Sequence, residues 1–421
     1  MAVTLEVPTK VKVAHRPAQH AFELGTESAF AVGARASRLA AAGRDVVRLE
    51  IGQPDWRAPD AAVEAAITAL RDGETAYAPP AGLPALRAAI SARSAERGYP
   101  IDPGRVFVLP GGKPGLFFAA QLLLEPGDEA LIPDPGFPIY PSVVRFTGAT
   151  PVPYSLRAGN DFVVDPDRIE QSITDRTRLL FLNAPHNPTG TVIPRAVLER
   201  LARLSLDYGF TIVADEVYQD LQFDGRATTI AAFPEIADRA ILVDSLSKRF
   251  GMTGWRLGWA VVPDRLAEAF ERLTINTVSC VPPFVQRAGI AALAEPANAL
   301  AARVRLLREK RDTLVTALNT IDGVHCALPA GGLYVFPSIG GLIDRRGAGS
   351  DRNGDAAWLS IGTERIASRL LEEHALAALP GTGFGAGGEG HLRLSFATSF
   401  PQLEAAVARL RAFASELESH G

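Results

Sequence analysis

Cysteine is scarce in this chain: two in 421 residues, Cys280 and Cys326, far apart in sequence. That argues against a disulfide framework and against a zinc site, whose ligands come as closely spaced Cys and His pairs; no other metal-ligand cluster is evident. There is no excess of positive charge either, since 43 Lys and Arg face 47 Asp and Glu. A net charge of −4 makes no basic field of the kind nucleic acid or anionic lipid needs, so any bound anion must be held by a local site. Long apolar runs are missing too. Met1 to Pro17 interleaves Val, Lys, Glu and His without a continuous apolar stretch, and no later segment reaches the length of a membrane span. The expectation is a cytoplasmic protein with neither nucleic acid nor membrane as partner.

What is present is an ordinary globular composition, with 47% hydrophobic and 21% charged residues, 38 Gly and 31 Pro. The length suits two domains. Residues 1–30 read as a weakly patterned arm, followed by a helical stretch Val32 to Ala42 and the strand-like Asp45–Ile51. Helical stretches at 60–72, 83–97 and 114–124 then intersperse with the β-branched runs Val106–Leu109, Ala130–Pro133, Leu179–Asn183, Thr211–Asp215 and Ile241–Asp244. Such alternation predicts an α/β fold with a mostly parallel sheet covered by helices on both faces. Helical segments dominate 264–320, and the C-terminal part alternates short strands with helices, as in a smaller α+β domain. The division expected is an arm with part of the small domain over 1–58, a large domain over 59–300 and the rest of the small domain over 301–421. Residues 338–356, with the polar run Asp344–Asp355, read as a mobile surface loop.

Four groups of polar residues lie just past the ends of predicted strands, where open parallel sheets bind ligands. Gly111-Gly112-Lys113 follows Val106–Leu109 and opens a helix, so glycine backbone and a helix N-terminus stand ready for a phosphate. The glycine spacing is wrong for a nucleotide-triphosphate loop. Asn187 sits in Asn183-Ala184-Pro185-His186-Asn187-Pro188-Thr189-Gly190, a turn that can also present an amide to a ligand oxygen. Asp215, which ends an apolar strand before Glu216-Val217-Tyr218, needs a cation or strong donors; a metal or a protonated heterocyclic nitrogen would serve, and the first finds no further ligands nearby. Ser245-Leu246-Ser247-Lys248, with Arg256 eight positions on, gathers hydroxyls and cations suited to a phosphate dianion. A lysine beside other cations and away from water has its amine form favoured, and that form attacks carbonyls to give Schiff bases; a single lysine taken alone is more often a surface charge.

Together these segments resemble the aspartate aminotransferase superfamily, the class I and II aminotransferases of pyridoxal-phosphate fold type I. The likeness runs from about Gly52 to the C-terminus. It rests most on Ser245-Leu246-Ser247-Lys248 with Gly254-Trp255-Arg256-Leu257-Gly258, then on Asn187-Pro188-Thr189-Gly190 and Asp215-Glu216-Val217-Tyr218. The resemblance implies pyridoxal 5′-phosphate as cofactor and a ping-pong exchange between an amino acid and a 2-oxo acid. It makes Lys248 the Schiff-base lysine and proton shuttle, with Asp215 on the pyridinium nitrogen. Asn187 and Tyr218 would meet the phenolic oxygen. Ser245, Ser247, Arg256, Gly112 and Lys113 would hold the phosphate, and Phe137 would stack on the ring. Arg393, in His391-Leu392-Arg393-Leu394-Ser395, would grip the substrate α-carboxylate, with the Gly52 backbone beside it. Tyr77 would reach the phosphate of a neighbouring subunit, which implies a homodimer with active sites at its interface.

Side-chain selectivity stays open. Some acidic-substrate relatives place a partner-subunit arginine in the stretch that here reads Ile275-Asn276-Thr277-Val278-Ser279-Cys280-Val281-Pro282-Pro283, which has none; others use a lysine where this chain has Lys113. Glu27, in Thr26-Glu27-Ser28-Ala29-Phe30, would disfavour a second substrate carboxylate if it lines the pocket. The same residues also serve elimination, cyclopropane formation or oxidation on this cofactor. A non-catalytic ligand sensor is the remaining alternative, disfavoured because no basic helix-turn-helix segment precedes the fold.

Overall fold

The computed structural model describes residues 18–25, 27–225, 227–347 and 362–419. Its first strand is short, β1 (Val47–Arg48), in place of the longer run Asp45–Ile51. Seven strands then follow: β2 (Val106–Leu109), β3 (Glu129–Asp134), β4 (Thr150–Ser155), β5 (Thr177–Asn183), β6 (Thr211–Asp215), β7 (Ala240–Ser245) and β8 (Gly258–Val261). They form one sheet in the order β2-β8-β7-β6-β5-β3-β4, parallel except for β8, which runs against both neighbours.

The five strand runs legible in the sequence are five of these seven. Leu179-Leu180-Phe181-Leu182 is buried throughout, as expected of a strand covered on both faces. β4 lies at the edge, more exposed, and carries Pro151 and Pro153, which lack an N–H for a second neighbour. Helices connect the strands. The helix Arg195–Tyr208 buries Leu198, Leu201, Ala202, Leu204 and Ser205 on one side, and ends at Gly209 in the left-handed conformation.

A smaller α+β part holds β9 (Tyr334–Val335), β10 (Leu376–Ala377), β11 (Leu379–Pro380) and β12 (Leu392–Ser395). β9 and β11 flank β12 antiparallel, and β10 pairs in parallel with β1, so the residues just before Gly52 are tied into this part. The helical region 264–320 resolves into Asp264–Thr277, Pro283–Leu293 and Ala297–Leu318.

One expectation is corrected. Part of the stretch read as a surface loop, Gly340–Gly347, is helical, because Leu342 and Ile343 pack into the apolar core of the smaller part despite the polar neighbours. The remainder of that stretch, from 348 on, lies outside the described residues.

The register sets the site. Asn183 pairs with Asp215, and Asp215 with Val243, two residues before Ser245. The carboxyl ends of three adjacent strands therefore stand level at one edge of the sheet, facing the smaller part. No helix among the described residues is long and apolar enough to cross a membrane.

Candidate active site

At the centre of that edge, Asp215 is buried, and Tyr140 donates a hydrogen bond from its hydroxyl to Asp215 Oδ2 at 2.8 Å. Burial pushes the Asp215 carboxyl up to about 6, against the pull of the Tyr140 and Val217 hydrogen bonds. A buried carboxylate in this state gains from a cation placed against it. Beside it, Asn183 donates from Nδ2 to the Asp215 carbonyl at 2.8 Å, and its Oδ1 accepts the Asn187 amide at 2.7 Å. The turn after β5 is thus pinned to the end of β6, which aims Asn187.

Past β7 the chain folds into an anion cradle. Arg256 holds a left-handed backbone conformation and donates to the Thr253 carbonyl at 2.8 Å and the Pro110 carbonyl at 3.2 Å. Its guanidinium lies so close to Gly111 that a Cβ there would fall 2.3 Å from Arg256 Nη2. Gly112 caps the helix Lys113–Leu123, whose first backbone N–H groups have no partner within the helix. A Cβ on Gly258 would strike backbone atoms of Asp244, Gly111 and Gly112 at 2.7–2.9 Å. These contacts bring Ser245, Ser247, Arg256 and the helix N-terminus together, a donor set with the charge and fork geometry for a phosphate dianion.

Lys248 reaches from the same turn and donates from Nζ to the Gly52 carbonyl at 2.6 Å, with the Tyr218 ring 5.7 Å away. Desolvation lowers its pKa below the ordinary lysine value, and the neighbouring Arg393 and Lys113 cations add to this. Tyr218 and Tyr334 join hydroxyl to hydroxyl at 2.9 Å. Burial raises Tyr218 well above the ordinary phenol. Burial also raises Tyr334, but the Arg393 and Lys248 cations and the bond from Tyr218 outweigh it and hold Tyr334 below the ordinary value.

Arg393, on β12, is buried; it donates to Asn187 Oδ1 at 3.0 Å and to the Glu50 carbonyl at 2.8 Å, over the face of Tyr334 at 4.1 Å. Its Nε has no hydrogen-bond partner. A buried guanidinium with donors still unpaired, lining a cavity, suits a carboxylate. Gly52 stands opposite, where a Cβ would fall 1.7 Å from Tyr334 Oη, so only glycine admits that tyrosine.

All these groups share one cavity of about 550 Å³. Of the thirteen residues singled out from the sequence, it brings together Gly52, Gly112, Lys113, Phe137, Asn187, Asp215, Tyr218, Ser245, Ser247, Lys248, Arg256 and Arg393. Tyr77 is not among its lining residues and is 90% exposed. Two functional side chains escaped the sequence reading. Tyr140 lies in the helix Ile139–Phe146, where an apolar neighbourhood makes it look like core, and Tyr334 lies on the two-residue β9. The glycine that makes room for Tyr334 is Gly52, whose sequence neighbours give no sign of that partner.

A family model for aminotransferase class I and II matches residues 44–410. The arginine–pyruvate transaminase of Pseudomonas aeruginosa is 36% identical over 376 residues, covering 89% of this chain and 91% of that protein. The aspartate/prephenate aminotransferase of Thermus thermophilus is 37% identical over 384 residues, covering 90% and 94%. Among solved structures, the aspartate aminotransferase of Rhizobium meliloti superposes with a TM-score of 0.88 at 30% identity, over 96% of this chain and 99% of that one.

Proposed function

This chain belongs to the class I and II aminotransferases, and from that membership we propose that it works with pyridoxal 5′-phosphate on Lys248, exchanging an amino group between an amino acid and a 2-oxo acid in ping-pong fashion. The residues present fit that cofactor. Ser245, Ser247, Arg256 and the backbone of Gly112 and Lys113 suit its phosphate, in the cradle that Gly111 and Gly258 leave open. Asp215 suits a protonated ring nitrogen, Asn187 and Tyr218 its phenolic oxygen, and Phe137 one ring face. When bound, the cofactor supplies a carbonyl that exchanges amines and a ring that withdraws electrons.

The protein's part follows from the geometry. Arg393 takes the substrate α-carboxylate with its guanidinium, which its bonds to Asn187 and Glu50 keep from rotating. The Gly52 carbonyl holds Lys248 Nζ beside the place this carboxylate occupies. Lys248, its pKa lowered by desolvation, takes the proton from the substrate Cα and later returns it. Tyr140 supports Asp215 by a hydrogen bond and keeps the carboxylate directed into the cavity. We read Tyr77 as contributing to the site of a second copy, which makes a homodimer the working unit.

The observation that carries this reading is the position of a half-buried lysine in one cavity with a buried aspartate and two arginines. Borohydride reduction of the cofactor-loaded protein is expected to attach the cofactor to the peptide containing Lys248. Amino donors should then shift the visible spectrum of the unreduced enzyme, and 2-oxo acids should restore it. Labelling of any other lysine, or a spectrum unmoved by a wide donor panel, would sink the reading.

A further inference from the structure

Four basic side chains line the cavity: Lys113, Lys248, Arg256 and Arg393. On the reading above, three of them are engaged by the cofactor and by the substrate α-carboxylate. Lys113 alone has a side chain left over for whatever the substrate carries beyond its α-carbon. That side chain already has a partner. Glu27 forms an ion pair with Lys113 Nζ, and the ammonium lies 5.8 Å from the Phe30 ring centre and 5.6 Å from that of Phe137. Ile51 and Leu116 supply further apolar wall.

The partner is held in place. Just before it, the Gly25 amide donates to Ser142 Oγ at 2.9 Å. Just after it, Ser28 packs so tightly on Gly383 that a Cβ there would lie 2.7 Å from Ser28 Oγ. The Glu27 carbonyl accepts the Phe30 amide at 3.2 Å, closing the first turn of the helix Ser28–Ala41. Glu27 comes from 86 residues away in sequence, so the pair is made by tertiary packing, and its side chain is only 17% exposed. The charges of both partners reach Lys248, with opposite sign.

We propose that Glu27 occupies the place a second substrate carboxylate would take on Lys113, so that the enzyme selects monocarboxylic amino acids and 2-oxo acids and disfavours dicarboxylic ones. A dicarboxylic substrate would have to displace Glu27 or sit against a like charge, in a site walled by apolar groups. A side chain without a carboxylate meets a neutralised pair and aromatic surface. The proposal rests on the aminotransferase reading of the same cavity.

The test uses the cofactor-loaded enzyme, titrated calorimetrically with succinate and with butyrate, which share a carbon count and differ by one carboxylate. The wild type is expected to bind succinate no more tightly than butyrate. Glu27→Gln keeps the shape and removes the charge; it should tighten succinate by about 10- to 100-fold, the range of one charge-assisted contact, and leave butyrate unchanged. The aspartate half-reaction should gain in kcat/KM relative to the alanine half-reaction by a similar factor, a ratio in which any change transmitted to Lys248 cancels. The double variant Glu27→Gln with Lys113→Ser should lose both gains. A wild type that binds succinate tenfold or more above butyrate, or a Glu27→Gln protein without a succinate gain, overturns the proposal. Because calorimetry needs no turnover, a protein that shows the succinate gain but responds to no amino donor would refute the aminotransferase reading and leave the carboxylate contest standing.

Discussion

Arg393 illustrates what a single side chain contributes here, because its neighbours fix one donor on each Nη and leave the remaining N–H groups unpaired inside a buried site. Arg393→Lys keeps the charge and loses the fork. We expect kcat/KM for an amino donor to fall by about 100- to 1000-fold, most of it in KM, since a lysine cannot satisfy Asn187, Glu50 and a carboxylate together. Stopped-flow half-reactions across donor concentrations would read the split. Lys248→Ala removes the amine itself and should cost about 1000-fold or more, with loss of the visible Schiff-base band.

Glu216, next to Asp215, faces away from the reaction. It accepts from Thr229 Oγ1 at 2.7 and 2.8 Å and from the Ile230 amide at 3.1 Å, and burial pushes its carboxyl up to about 8. Its folded pKa lies above the ordinary 4.5, so it stabilises the fold as the neutral acid. That contribution is complete below about pH 4.5 and is lost as pH rises through about 8. Melting temperatures measured from pH 5 to 9 should decline on the alkaline side, and Glu216→Gln should flatten that decline with little effect at pH 5. An unchanged slope would count against a neutral Glu216. At this scale Lys248 and Asp215 were legible in the sequence because Asp215 ends β6 and Lys248 stands just past β7, and one cavity holds both. Tyr140 and Tyr334 were not legible, because what makes them functional is a contact 75 or 116 residues away.

The antiparallel strand β8 closes the cradle, and its first residue, Gly258, decides how near it comes. Three backbone atoms stand within 2.9 Å of any Cβ there, and none can swing aside as a side chain could. Gly258→Ala should therefore push β8 from β7 and from the Gly111–Gly112 turn, at a cost of about 1–3 kcal/mol, the usual range for overpacking. Urea unfolding would give the loss of stability, and cofactor titration a weakened affinity, since the same shift moves Arg256. The five strands detected from β-branched runs were legible because burial on both faces makes them almost wholly apolar. β4 and β8 were not, the first for its edge prolines and the second because Gly258-Trp259-Ala260-Val261 opens on glycine and has a single β-branched residue. The helix Gly340–Gly347 was hidden for the opposite reason: its composition is that of a loop, and only two apolar residues tie it to the core.

For the whole molecule the question is what Tyr77 does, since it lies outside its own chain's cavity and is almost fully exposed. Large exposed apolar side chains of this kind suit a partner surface. If the partner is a second copy related by a two-fold axis, Tyr77 of each copy serves the site that contains the other copy's Lys248. The consequence is a complementation pattern that a monomer cannot produce. Mixing Lys248→Ala with Tyr77→Ala and allowing the subunits to exchange creates mixed dimers in which one site has lost both groups and the other has kept both. Random pairing makes half the dimers mixed, so activity should rise from that of the parents to about one quarter of wild type. Mixing Lys248→Ala with Arg256→Ala provides the contrast, because both residues line the cavity of one chain and every mixed site then lacks one of them. Rescue in the first mixture and none in the second identifies Tyr77 as a group that crosses the interface; equal behaviour in the two mixtures would return it to its own subunit.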